Sequence, residues 1–290
     1  MLSTPDDSKM TNCFELCFQQ QPAPLQQGMH KKASKSDEKK HLKAEQKLWT
    51  QDLAAARKGG DAAASFRVAR WISSSEGAGC PPHFMPEDVR TAELEAWLRK
   101  AAGLGHAEAQ FRLGHLLGSH DPEVAIAWWR KAASQGNGDG LYMLGEAYRR
   151  GQGVEQNFAE AAKFFGQVMD TGEKRVATSA TLKLKATLHL ADMKNGGCNG
   201  VEQNRAEALR LYVLCTTAVF SGNDIYGDER THEKMKQFGD THYKIARCYT
   251  DGVGVERHSA KANEHFLMAA NAGHAPAMVG RCRLTLRSRS

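Results

Sequence analysis

The run Val154-Glu155-Gln156-Asn157, followed by Ala159-Glu160-Ala161, occurs again as Val201-Glu202-Gln203-Asn204 with Ala206-Glu207-Ala208. Val255 opens a looser copy ending in Ala260-Lys261-Ala262. Self-similarity at this interval restricts the chain to a stack of like supersecondary units, because one such unit cannot bury its apolar face alone. Ten or eleven positions before each valine stands an apolar residue, Leu144, Leu190 or Ile245, followed at once by Gly145, Ala191 or Ala246. Four positions before each of these lies a small residue, Gly140, Ala186 or Thr241, and the same signature opens Ala64-Val68-Ala69 and Ala109-Leu113-Gly114. Small residues flanking an apolar one at helical spacing predict a helix A in each unit, one side of which admits a neighbour closely.

A second helix, B, follows in each unit. From anchors at Leu94, Ala125, Ala161, Ala208 and Ala262, bulky residues recur three and four positions on, as Trp97/Leu98, Trp128/Trp129, Phe164/Phe165, Leu211/Tyr212 and His265/Phe266. Gly105, Gly136, Gly172 and Gly273 close four of these helices as left-handed caps, while the fourth unit has Val219 and stops at Gly222. Gly151-Gln152-Gly153, Gly252-Val253-Gly254 and the looser Gly196 to Gly200 are read as the A-to-B turns. No strand or lysine accompanies them, so a phosphate-cradling loop is set aside. A leading helix runs to Gly59-Gly60, with Ser36 as its N-cap and Leu42, Trp49 and Leu53 as its apolar face.

Composition agrees with an all-α chain: 40 Ala stand against 12 Val and 4 Ile among 290 residues, which excludes a barrel or sandwich. Seven irregularly spaced cysteines give no disulfide framework, and a net charge of +6 spread along the chain does not name a nucleic acid. The N-terminus, Met1-Leu2-Ser3-Thr4-Pro5-Asp6-Asp7, lacks a basic region and an apolar core, and the most apolar stretch, Leu211 to Phe220, is about half of a membrane span. The expectation is a cytoplasmic protein with no membrane span. Residues 1–36 read as a disordered tail, 37–60 as the leading helix and 61–286 as the repeat domain. Arg281, Arg283, Arg287 and Arg289 read as a frayed basic tip.

The pattern Ala-x-x-x-Leu-Gly-x-x-Tyr-x-x-Gly-x-Gly-Val, which Gly140 to Val154 follows apart from its first residue, resembles the Sel-one-like repeat, a branch of the tetratricopeptide-like α-solenoids. The resemblance covers about residues 60–280 in five units. It implies an α-solenoid of antiparallel helix pairs and a soluble scaffold or adaptor of the kind used in protein quality control, signalling and host–microbe contact.

Such a superhelix exposes a concave surface built chiefly from A helices. Positions two before and two after each apolar anchor share one helix face. If this face is the concave one, as in tetratricopeptide solenoids, the earlier positions present Phe66, Phe111, Tyr142, Leu188 and Tyr243. The later ones present Arg70, His115, Glu146, Asp192 and Arg247, with Arg149 and Arg150 extending the second. Aromatics beside mixed charge suit a protein or peptide partner; the competing reading is that the aromatics fill the seam between A helices. No catalytic constellation is visible, so no enzymatic activity, cofactor or metal is expected. His106 and His274, at repeat junctions, read as capping residues. Cys80-x-x-His83 has metal-ligand spacing without a second pair. The alternatives are an enzyme or regulatory subunit acting through the insertions 73–91 or 222–234, and a weak anionic-surface binder using the basic termini.

Overall fold

The computed structural model describes residues 35–73, 87–170, 180–220 and 229–287, with side chains described over 47–73, 87–170, 182–216 and 235–281. The tail up to residue 34, Cys80, His83, Gly172 and Gly222 lie outside these ranges. Among the described residues there are twelve helices and no strand; a lone antiparallel bridge, Cys198 to Val201, closes one loop. The fold is an all-α solenoid of helix pairs, and it divides into two compact units between Gln135 and Gly136.

The first unit holds α1 (Lys35–Lys58), α2 (Ala62–Ser73), α3 (Glu87–Gly103), α4 (Ala107–Leu117) and α5 (Pro122–Ser134), each packed on the next. Its core joins Trp49 and Ala56 of α1 to Val68 and Ile72 of α2, Trp97 and Leu98 of α3 and Leu113 of α4. Caps fix the helix starts: the Asp61 carboxylate accepts from the Ala64 N–H at 2.8 Å and Asp121 from that of Val124 at 3.2 Å, with Pro122 in the first turn of α5. The Lys100 ammonium donates to the Ala56 carbonyl at 2.8 Å and so ties α3 to the end of α1. Gly59 and Gly60, both at positive φ, stop α1 as expected. Its start differs: α1 begins at Lys35, so Ser36 lies within the helix and is not its N-cap.

The second unit contains α6 (Gly138–Arg150), α7 (Phe158–Asp170), α8 (Ala180–Gly196), α9 (Arg205–Phe220), α10 (Glu229–Asp251), α11 (Ser259–Asn271) and α12 (Ala275–Arg287). The repeated run at its turns proves to be a pair of caps. The Gln156 amide donates to the Arg149 carbonyl and that of Gln203 to the Asn195 carbonyl, both at 2.9 Å, covering the open end of helix A. One residue later, Asn157 accepts from the Glu160 N–H and Asn204 from that of Glu207, both at 3.0 Å, starting helix B. In the looser copy Arg257 and His258 take these places. The Arg257 Nε donates to the Asp251 carbonyl at 3.3 Å, and His258 Nδ1 accepts from the Lys261 N–H at 3.2 Å.

The described part of each insertion is helical. Residues 87–91 already belong to α3, whose first turn carries Glu87 and Asp88 where a helix dipole favours acids, and residues 229–234 belong to α10. The rest of the two insertions, residues 74–86 and 222–228, lies outside the described residues. Helix α9 continues through Val219 to Phe220, there being no glycine to stop it. Helix α12 runs to Arg287, seated by the buried Ala277 and by Gly280 against the Phe266 ring; Arg281 is exposed, and the side chains of Arg283, Arg287 and Arg289 lie outside the described ranges.

Candidate binding face on the A helices

Tyr142 and Tyr243, at the earlier positions of α6 and α10, each pack against the following B helix, as the seam reading has it. Tyr142 of α6 packs on Phe165 of α7 at 5.9 Å between ring centroids, and Tyr243 of α10 on Phe266 of α11 at 5.8 Å. A histidine then lies over each. His189 of α8 stacks on Tyr142 at 6.4 Å, and His274, just before α12, sits 4.5 Å from Tyr243. In the first unit His106 stacks on Phe66 at 4.3 Å, with the Arg112 guanidinium 5.4 Å from that ring. Phe66 and Tyr142 are each 8% exposed, whereas Phe111, Leu188 and Tyr243 are half-buried. His106 also caps α4, its Nδ1 accepting from the Ala109 N–H at 3.2 Å.

The later positions form a polar strip on the A helices of the second unit. Glu146 of α6 is buried, and two arginines one turn on in the same helix grip it: Arg149 through Nε at 2.7 Å and Nη2 at 3.0 Å, and Arg150 through Nη2 at 2.8 Å. His189 Nε2 approaches from α8 at 3.4 Å. Burial alone would raise the Glu146 pKa, but the Arg149 hydrogen bonds and the His189, Arg149 and Arg150 charges outweigh it and hold the carboxyl below its usual range. Burial, followed by the Glu146 charge, pushes the Tyr142 phenol up to about 12.

One turn beyond His189, Asp192 accepts from the Tyr212 hydroxyl at 2.5 Å and from the Lys244 ammonium at 2.6 and 2.8 Å, joining α8 to α9 and α10. Arg247 of α10 is exposed, 3.5 Å from Asp251. In the first unit Arg70 and His115 are exposed and Phe111 meets His115 edge-on at 6.2 Å. The residue spacing includes Glu146, Asp192 and Arg247 of this strip but not His189 and Lys244. Those two sit one residue off the two-before, two-after register, on the flank that faces the neighbouring A helix.

Among the described residues no group of three or more metal-ligating side chains is assembled, and no helix is long and apolar enough to cross a membrane. Burial pushes the Cys215 thiol up to about 12, which leaves it protonated and a poor nucleophile.

A second histidine cluster lies where α10 packs on α11. The Nδ1 atoms of His242 and His265 are 2.8 Å apart, Phe238 abuts His242 and Tyr249 stacks on His265. Burial and then the neighbouring His265 lower the His242 pKa to about 4; burial also lowers that of His265, against a rise from Glu264 and with a further lowering from Lys261. A depressed folded-state pKa means that the unfolded chain binds more protons, so the stability is present above pH ~6.5 and is lost as pH falls toward 4. Urea unfolding followed across that window is expected to show His242→Asn flattening the pH slope by up to one proton, about 1.4 kcal/mol per pH unit. An unchanged slope would remove the pair from the acid response.

The Sel1 repeat model matches residues 95–106, 107–137, 138–167, 185–214 and 240–274. The fold is similar to the crystal structure of a Sel1 repeat protein from Oxalobacter formigenes, at 21% identity and a TM-score of 0.53, covering 73% of this chain and 74% of that one. A protective antigen of uropathogenic Escherichia coli displaying an SLR fold matches at 20% identity and a TM-score of 0.30, over 82% of this chain and 67% of that one. No curated protein matches in sequence. The first likeness gives the same all-helical repeat fold, and proteins of this repeat class generally serve as protein-interaction scaffolds. These Sel1 repeat matches, spread across residues 95–274, place this chain in the Sel1 repeat family.

Proposed function

We propose that the chain is a non-enzymatic scaffold that holds an extended peptide segment of a protein partner against the A helices of its second unit. The observation that carries this reading is the locked strip from Arg149 through Glu146, His189 and Asp192 to Lys244. It fixes three helices in register and leaves the Arg150 and Arg247 guanidinia exposed at its two ends. The Arg149 and Arg150 guanidinia, held by the buried Glu146, lose little freedom when a ligand arrives, which is how a small contact area yields useful affinity. Helix α6 packs directly on α8, and the Lys244 side chain reaches from α10 to Asp192 of α8, so the strip runs across three helices.

The test is to pan a random dodecapeptide library on the immobilised full chain and to measure the enriched peptides by fluorescence anisotropy. Tyr142 is a poor probe because its ring belongs to the core, so the substitutions fall on exposed groups. Arg150→Gln with Arg247→Gln is expected to weaken binding by about tenfold, with the thermal midpoint held within about 2 °C. No enrichment, or full affinity in the double variant, overturns the assignment.

A further inference from the structure

We infer that the segment held on this face is acidic, carrying aspartate or glutamate side chains toward Arg150 and Arg247. This rests on the reading of the face as a peptide site. An inventory of donors and acceptors supports it. Glu146 Oε1 faces Arg149 Nε and His189, and Oε2 faces Arg149 Nη2 and Arg150 Nη2, so both oxygens are occupied from within the chain. Asp192 Oδ1 takes the Tyr212 hydroxyl and Lys244, and Oδ2 takes Lys244 again. Of the other carboxylates on these helices whose side chains are described, Asp139 is engaged within the chain, Asp240 is 3.3 Å from His274 Nε2 and Asp251 is 3.5 Å from Arg247.

The donors are in surplus. A guanidinium has five N–H groups and an ammonium three. Arg149 gives two of its nitrogens to Glu146 and Arg150 gives one, so N–H groups on both remain unmatched among the described residues. Two guanidinia on one carboxylate also leave a net positive charge at that end of the strip. His189 adds none at neutral pH, because burial lowers its pKa although Glu146 acts to raise it. A surface whose donors outnumber its acceptors is complemented by a ligand rich in acceptors. Paired, planar donors fit carboxylates best.

The panning experiment discriminates. Acidic residues are expected to be enriched about twofold over the input library, and replacing Asp and Glu by Asn and Gln in the tightest peptide is expected to cost about tenfold in affinity. Binding of that peptide should also weaken as salt rises, through the exposed arginines. Enriched peptides without an acidic preference, or isosteres that bind as well, overturn this inference and leave the peptide reading standing. If no peptide is enriched, both fall. Equally tight binding of a labelled oligothymidylate to the same face, competing with the peptide, would replace the acidic peptide by a nucleic acid and overturn the inference as well.

Discussion

Replacing Gly254 by alanine is expected to destabilise the second unit by about 3 kcal/mol, well beyond what a turn glycine costs on backbone grounds alone. Gly254 adopts φ +72°, and a methyl group there would collide with the Arg205 carbonyl carbon and lie 2.6 Å from the Ala206 nitrogen. Those are backbone atoms at the start of α9, so no side chain can turn aside to make room. Two effects therefore add. The left-handed conformation costs an L-residue about 1–2 kcal/mol, and overpacking against the preceding B helix adds about 1–3 kcal/mol.

Gly273 separates the two. It has φ +85° and nothing within 4 Å of the position its Cβ would take, so Gly273→Ala reports the conformational cost alone. Urea unfolding of both variants is expected to show Gly254→Ala less stable than Gly273→Ala by about 1–3 kcal/mol. Equal losses would mean that the loop does not bear on α9. A methyl group at the corresponding Gly200 would lie 3.0 Å from the Ala159 Cβ, at the start of α7, so the close approach recurs from one repeat to the next.

That recurrence marks where the sequence stops being informative. The small residue after each apolar anchor, the bulky residues of helix B and the closing glycines are local signals, repeated at fixed spacing, and they yielded the helix pairs and most of the core. Gly153 and Gly254 were legible as turn residues, yet nothing near Gly254 in sequence says that α9, some fifty residues earlier, lies against it. The histidines over the aromatics are hidden for the same reason. His189 and His274 reach their rings only after the repeats have stacked, so Tyr142 and Tyr243 read equally well as open or covered. The charged positions fared better because charge is seldom buried without partners: Arg150 and Arg247 remain exposed. Glu146 is the exception, and it is buried with two arginines of its own helix and a histidine.

The fully buried Phe165 should be the most costly single truncation of the second unit, with Phe165→Ala losing about 3–5 kcal/mol, because its ring joins Gly145 and Tyr142 of α6 to His189 of α8. Its pairing with Gly145 predicts a change of sign. A methyl group on Gly145 would stand 2.5 to 3.0 Å from three carbons of the Phe165 ring, so Gly145→Ala sets a helix-propensity gain of about 1 kcal/mol against overpacking of about 1–3 kcal/mol. In the wild-type chain the net effect is a loss. Once Phe165→Leu has removed the ring while keeping the core filled, the same Gly145→Ala change is expected to stabilise by up to about 1 kcal/mol. Urea denaturation of the four chains gives the coupling directly, expected at about 1–3 kcal/mol. If Gly145→Ala has the same effect in both backgrounds, the glycine is not there to admit the ring, and the close approach of helices A and B has some other cause.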